Sequence, residues 1–157
     1  MMQLENYDLI AITETWWNKL YNWNAMIEGD KLFRREKQGG RGREIILSIK
    51  RIDCEELLLR NSHDKVESLW VKIRGQTNKV HLVVGVYNRP PDQGKPVDET
   101  FLLQLQEASC LQALVLMGDF NHPDMCWKSG MAGGRQSRRF LESVEDNFLV
   151  QVIDGPT

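Results

Sequence analysis

The sequence predicts a single α/β or α+β sandwich, and three observations carry that prediction. Short apolar runs rich in β-branched residues recur through the first half of the chain. Two amphipathic helical patterns follow in the second half. Between them lies LVLMGDFNHP, an apolar run that stops at Gly118 and delivers Asp119, Phe120 and Asn121 at its end. The 157 residues suit one domain with a real core, and 41% hydrophobic against 27% charged residues is an ordinary globular balance.

The elements can be justified in order. Residues 7–13, YDLIAIT, form a short apolar run that reads as a buried strand. Residues 44–50, EIILSIK, are a second candidate. In residues 66–74, VESLWVKIR, both alternating faces carry apolar side chains, which places the strand inside a sheet. Residues 79–88, KVHLVVGVYN, are strongly β-branched and stop before Pro90 and Pro91, which cannot continue a ladder. Residues 98–109 put Phe101, Leu102, Leu105 and Ala108 on one helical face, with Asp98 as the expected N-cap. ALVLMGDF, residues 113–120, then reads as a central strand. Residues 136–149 are a second amphipathic helix, with Phe140, Leu141, Val144 and Phe148 inward and Ser137 as its cap.

Net charge is -2, so any contact with nucleic acid must come from local basic patches. Cys54, Cys110 and Cys126 are widely spaced, without a CxxC pair. They are expected as small buried side chains in a reducing compartment, not as a metal or disulfide framework. No apolar run approaches the ~18 residues of a membrane span. The N-terminus lacks a signal-peptide pattern. The expectation is an intracellular protein, nuclear or cytoplasmic, with no membrane partner.

In a sheet packed on both faces, chemistry gathers where strands end. Asp119 supplies an anionic ligand or base. Asn121, two residues on, would point the same way in an extended segment. Together they suit an attacking water, a hard cation or a phosphate oxygen. Asp and Asn also favour turns, which alone could account for them. Glu14 ends the first strand in the same manner, and a site for Mg²⁺ needs only one or two carboxylates beside water and substrate phosphate.

YDLIAITETWW, VVGVYNRPP and LVLMGDFNHPDMCW, in that order and spacing, resemble the endonuclease domain of non-LTR (LINE-type) retrotransposons. The tail QSRRFLESVEDNFLVQVIDGPT resembles it too. That domain belongs to the exonuclease–endonuclease–phosphatase superfamily. The resemblance implies a four-layered α/β sandwich of two mixed β-sheets flanked by helices, and Mg²⁺-dependent phosphodiester hydrolysis, with Mn²⁺ as the alternative ion. DNA is the implied partner. By motif, Glu14 resembles the metal-binding glutamate, Asp119 the acid that orients or deprotonates the attacking water, and Asn121 the amide that holds that water or the scissile phosphate.

The sequence also departs from the pattern. Asn88 stands where the family has an active-site tyrosine. Tyr87, one residue earlier, faces the opposite side of a regular strand. Asn88 can donate a hydrogen bond to phosphate but lacks the reach and acidity of a phenol, so weakened catalysis is expected. The family's first strand has no counterpart before Tyr7, and its final Asp and Ser-Asp-His cluster have none before Thr157. Residues 1–157 are therefore expected to be one partial domain, incomplete at both ends. His63, His81 and His122 match no catalytic position. Two basic stretches remain. FRREKQGGRGR carries Arg34, Arg35, Arg41 and Arg43, and GGRQSRR carries Arg138 and Arg139. These arginines are candidate DNA-phosphate contacts, with solvated charged loops as the alternative. Trp16, Trp17 and Trp23 could line a DNA-facing loop, while Trp70 is expected in the core.

Overall fold

Apolar, β-branched side chains on both faces of one strand need cover on both sides. Strands β5 (Ser68–Arg74) and β6 (His81–Asn88) have it. A computed structural model describes residues 8–13, 30–36, 44–50, 52–75, 81–111 and 113–152. Within them, β1 (Leu9–Ile12), β2 (Asp30–Glu36) and β3 (Glu44–Lys50) make an antiparallel sheet in the order β1-β3-β2. A second sheet runs β4-β5-β6-β7, with β4 at Cys54–Glu56 and β7 at Ala113–Asp119. It is mixed, because β6 and β7 are parallel and joined through helix α1 (Lys95–Leu111). A short hairpin of β8 (Met125–Cys126) and β9 (Met131–Ala132) precedes helix α2 (Arg135–Asp146).

The layers follow from the two-residue period of the strands. Leu69, Val71, Val84 and Val86 pack against Ile45, Leu47 and Ile49 of the first sheet. The opposite face of the second sheet sends Trp70, Val83 and Tyr87 into a core closed by Phe101, Leu105, Phe140 and Val144 of the two helices. Among the described residues, sheet, sheet and helices are thus three successive layers. An α/β sandwich is what the strand-then-helix pattern anticipated.

The buried polar groups dock α1. Trp70 Nε1 donates to Gln104 Oε1 at 3.1 Å, Ser68 Oγ donates to the same oxygen, and Gln104 Nε2 donates to the Asn61 carbonyl. Gly85 lies opposite Trp70 in the ladder and leaves room for its ring, since a Cβ there would stand 2.4 Å from Trp70 Cζ3.

Several expectations need correction. Residues 30–36 are a strand, so Phe33–Glu36 of the basic stretch are not a solvated loop: pairing with β3 puts Lys31, Phe33 and Arg35 on one face and Leu32 and Arg34 on the other. Among the described residues β7 lies at the margin of its sheet, with β6 its only ladder neighbour and Val115 exposed. Helix α1 starts three residues before Asp98, with Pro96 in the first turn, where a missing N–H is harmless. Gly134 is the N-cap of α2, so Ser137 lies inside the helix. Phe148 is 94% exposed, because it follows the end of α2 in a left-handed turn at φ 58° that rotates it off the apolar face. Cys54 is buried, but Cys110 and Cys126 are exposed. No described helix is long and apolar enough to cross a membrane.

Candidate active site

Parallel register sets the site. Tyr87 pairs with Gly118 and Asn88 with Asp119, so β6 and β7 end together. Val84 and Val86 face the first sheet, and the strand period carries Asn88 and Asp119 to that same side. Asn88 is buried and Asp119 is exposed. The side chain of Tyr87 goes the other way and stacks on Phe101 with ring centroids 3.5 Å apart. Burial pushes its phenol well above the ordinary value. No bulge turns it toward Asp119.

Glu67 is the residue that sequence reasoning missed. It precedes β5, is buried, and accepts a 3.0 Å hydrogen bond at Oε2 from Asn88 Nδ2. A carboxylate that follows Val66 and shares its strand face with Leu69 and Val71 was a usable signal, since buried acids are rarely left unpaired. Asn88 Oδ1 is buried and has no hydrogen-bond partner among the described residues. Arg35, Glu44, Asp64, Glu67 and Asn88 line a gap of about 10 Å³ at this end of the sandwich, room for about one water. Burial raises the carboxyl of Glu44 there.

Asn121 does not extend beyond Asp119. Its φ is 46°, so the chain turns left-handed. Its backbone N–H donates to Asp119 Oδ1 at 3.0 Å, and its side-chain Nδ2 donates to the Arg89 carbonyl at 3.1 Å. The Asp-x-Asn spacing makes a turn at the strand end, which corrects the expectation that both side chains point one way. Arg89 holds that turn. Its Nη1 donates to the Asn121 carbonyl, its Nε and Nη2 grip Asp98 at 2.8 and 2.9 Å, and its backbone N–H donates to the Asp119 carbonyl. Gln93 and Gln136 also donate to Asp98, so four hydrogen bonds satisfy one largely buried carboxylate.

His122 sits in a second small network. Ser137 gives its only hydroxyl hydrogen to Asp124, so the 3.0 Å contact between Ser137 Oγ and His122 Nδ1 needs the proton on His122. Burial, then the charge of Arg89, depress the pKa of His122, which favours the neutral ring. Asp124 also accepts from the Gly134 N–H, so it caps α2 from a distance.

These two bonds hold the Asp124 carboxyl below its ordinary value of 3.8. The stability it contributes is complete above that value and is lost as pH falls through the lower folded value. Asp124→Asn is therefore expected to melt below wild type at pH 5, with the difference in Tm shrinking below pH 3.8 when followed by circular dichroism.

The other candidates are scattered. Arg34 and Arg35 lie on opposite faces of β2. Arg35 reaches the gap beside Asn88 and donates to the His63 carbonyl, whereas Arg34 lies 3.9 Å from Glu44. Arg138 donates to the carbonyls of Ala132 and Gly133, and Arg139 pairs with Glu99 at 3.3 Å. Glu14, Arg41, Arg43, Trp16, Trp17 and Trp23 lie outside the described residues. Among the described residues no group of three or more Asp, Glu, His or Cys could hold a metal.

The fold has solved counterparts. The endonuclease domain of TRAS1, a telomere-specific non-LTR retrotransposon, superposes with a TM-score of 0.56 at 15% identity, over 76% of this chain and 53% of that one. This chain shares that fold. A functionally unknown conserved protein from Enterococcus faecalis V583 superposes with a TM-score of 0.59 at 15% identity, over 87% of this chain and 58% of that one. The chain thus spans a little over half the length of each of these two structures. No family model and no curated protein matches its sequence.

Proposed function

We propose that the chain is a Mg²⁺-dependent, DNA-nicking endonuclease domain of non-LTR retrotransposon type, with weak activity. The observation that supports it most is the pairing of Asn88 with Asp119 at the shared end of β6 and β7, on the side facing the first sheet. Strand ends of this kind are where α/β sheets place their ligands. Asp119 is an acceptor with one oxygen engaged by the Asn121 N–H, which orients the carboxylate. Its other oxygen suits a water positioned for attack on a phosphodiester.

The donor chemistry fits a hard cation. Asp119 offers a carboxylate, and the unpaired Asn88 Oδ1 offers a buried neutral oxygen. Asp119, Asn88 and, by motif, Glu14 would hold Mg²⁺ or Mn²⁺. Such an ion supplies Lewis-acid neutralisation of charge gathering on the phosphate oxygens. The protein groups keep the turn rigid, fix the carboxylate and leave Asn121 braced from behind by Arg89.

A second reading, a non-catalytic nucleic-acid- or protein-binding relic of the same fold, is favoured by Asn88. Its amide is committed to Glu67 at the place where the resemblance puts a tyrosine. Nicking of a supercoiled plasmid in millimolar Mg²⁺ separates the two. Slow nicking that drops to background in Asp119→Ala is the expected result. A folded wild-type protein that never nicks would move the assignment to the relic, and nicking that survives Asp119→Ala would mark a contaminant.

A further inference from the structure

On the far side of β6 from Glu67, the first turns of α1 and α2 enclose a cleft of about 300 Å³. Tyr87, Phe101 and Phe140 contribute an apolar floor, and Lys95, Arg135 and Arg139 line it with cations. His122 also lines it, one residue beyond Asn121, so the cleft opens beside the turn that carries Asp119. The acids in the lining are already neutralised. Asp98 is gripped by Arg89, and Glu99 is paired with Arg139. Lys95 and Arg135 are exposed and have no ion-pair partner among the described residues. Two uncompensated, exposed cations on one cleft suit a ligand that carries more than one anionic group.

We propose that this cleft binds the phosphodiester backbone of a nucleic-acid strand next to the cutting site, with Lys95 and Arg135 each neutralising one phosphate. The assignment rests on the reading of the chain as a DNA-acting domain. Tyr87, Lys95 and His122 put the cleft at the end of the sandwich where β6 and β7 finish, so a nucleic-acid strand held at Asp119 is long enough to continue into it, which favours nucleic acid over an acidic peptide. The cleft also separates neighbouring arginines. Arg135 faces the cleft, whereas Arg138 spends its side chain on the carbonyls before α2.

The test is fluorescence anisotropy of a labelled 20-base-pair DNA duplex in EDTA, where nicking cannot interfere, across 50–200 mM salt. Wild type should bind with a clear salt slope. Lys95→Ala with Arg135→Ala should reduce that slope by about 2 and weaken binding about tenfold at the lowest salt. Lys50→Ala, at the other end of the sandwich, should match wild type. Charge reversal by Lys95→Glu should weaken binding further, and circular dichroism confirms that each variant is folded. An unchanged affinity and slope in the double variant would overturn the proposal. So would a wild type that does not bind, or a polyglutamate peptide of equal charge that competes as well as unlabelled duplex. Because binding is read without cleavage, wild type that binds through Lys95 and Arg135 yet never nicks plasmid retains this site while losing the catalytic reading.

Discussion

Arg89→Met is expected to cost about 3–5 kcal/mol of folding stability, read as a fall in the urea midpoint without a large change in slope. The side chain of Arg89 is 5% exposed and that of Asp98 is 12%. Removing the guanidinium leaves a carboxylate in a low-dielectric site with only the amides of Gln93 and Gln136 as donors. It also strips the Asn121 carbonyl of its donor. Breaking a buried pair costs far more than replacing both halves, because the penalty lies in the stranded charge. Arg89→Met with Asp98→Leu should therefore recover part of the loss, giving a coupling energy of at least about 1 kcal/mol in a double-mutant cycle. Additive effects would mean that the two side chains do not stabilise each other in the folded protein. The same substitution bears on chemistry. The Asn121 turn would lose a clamp, so Asp119 should be less well aimed even in the fraction that folds.

That clamp was not legible in the sequence, while much of the scaffold was. The strands Ser68–Arg74 and His81–Asn88 announce themselves because burial on both faces puts apolar residues at both alternating sets of positions. Helix α1 is visible because Phe101, Leu102, Leu105 and Ala108 obey helical spacing, and all four are buried. β2 was hidden because Arg34 and Arg35 flood its hydropathy with charge. Its strand character comes from pairing with β3 along seven residues, a tertiary fact. Asp119 could be singled out from its position at the end of an apolar run, yet its relation to Asn88 depends on the parallel register. Glu67 meets Asn88 across an antiparallel pair, 21 residues away. Arg89 and Asp98 flank a turn that brings them together only once Pro90 and Pro91 have ended the strand. Asn121 was misplaced for a local reason. Asn-His-Pro prefers to turn where a strand would extend, and Asn is among the few residues that tolerate positive φ.

Gly118→Ala is expected to destabilise the fold by more than about 3 kcal/mol, the other large effect. Two penalties combine. The backbone sits at φ +130°, a region that L side chains rarely adopt, and an added Cβ would stand 1.9 Å from the carbonyl oxygen of Tyr87. Backbone cannot swing aside as a side chain can. Either β7 moves away from β6, or Gly118 abandons its conformation. Both break the ladder at the pair Tyr87 with Gly118, immediately before Asn88 meets Asp119. Gly130 provides the comparison. It also has positive φ, at +63°, but a Cβ there meets nothing within 4 Å. Gly130→Ala should cost only the left-handed conformation, about 1–2 kcal/mol. The excess of Gly118→Ala over Gly130→Ala in urea titrations measures the collision with Tyr87. Equal costs would show that β7 can pull back freely, and the alignment of Asn88 with Asp119 would then not be enforced by close backbone approach.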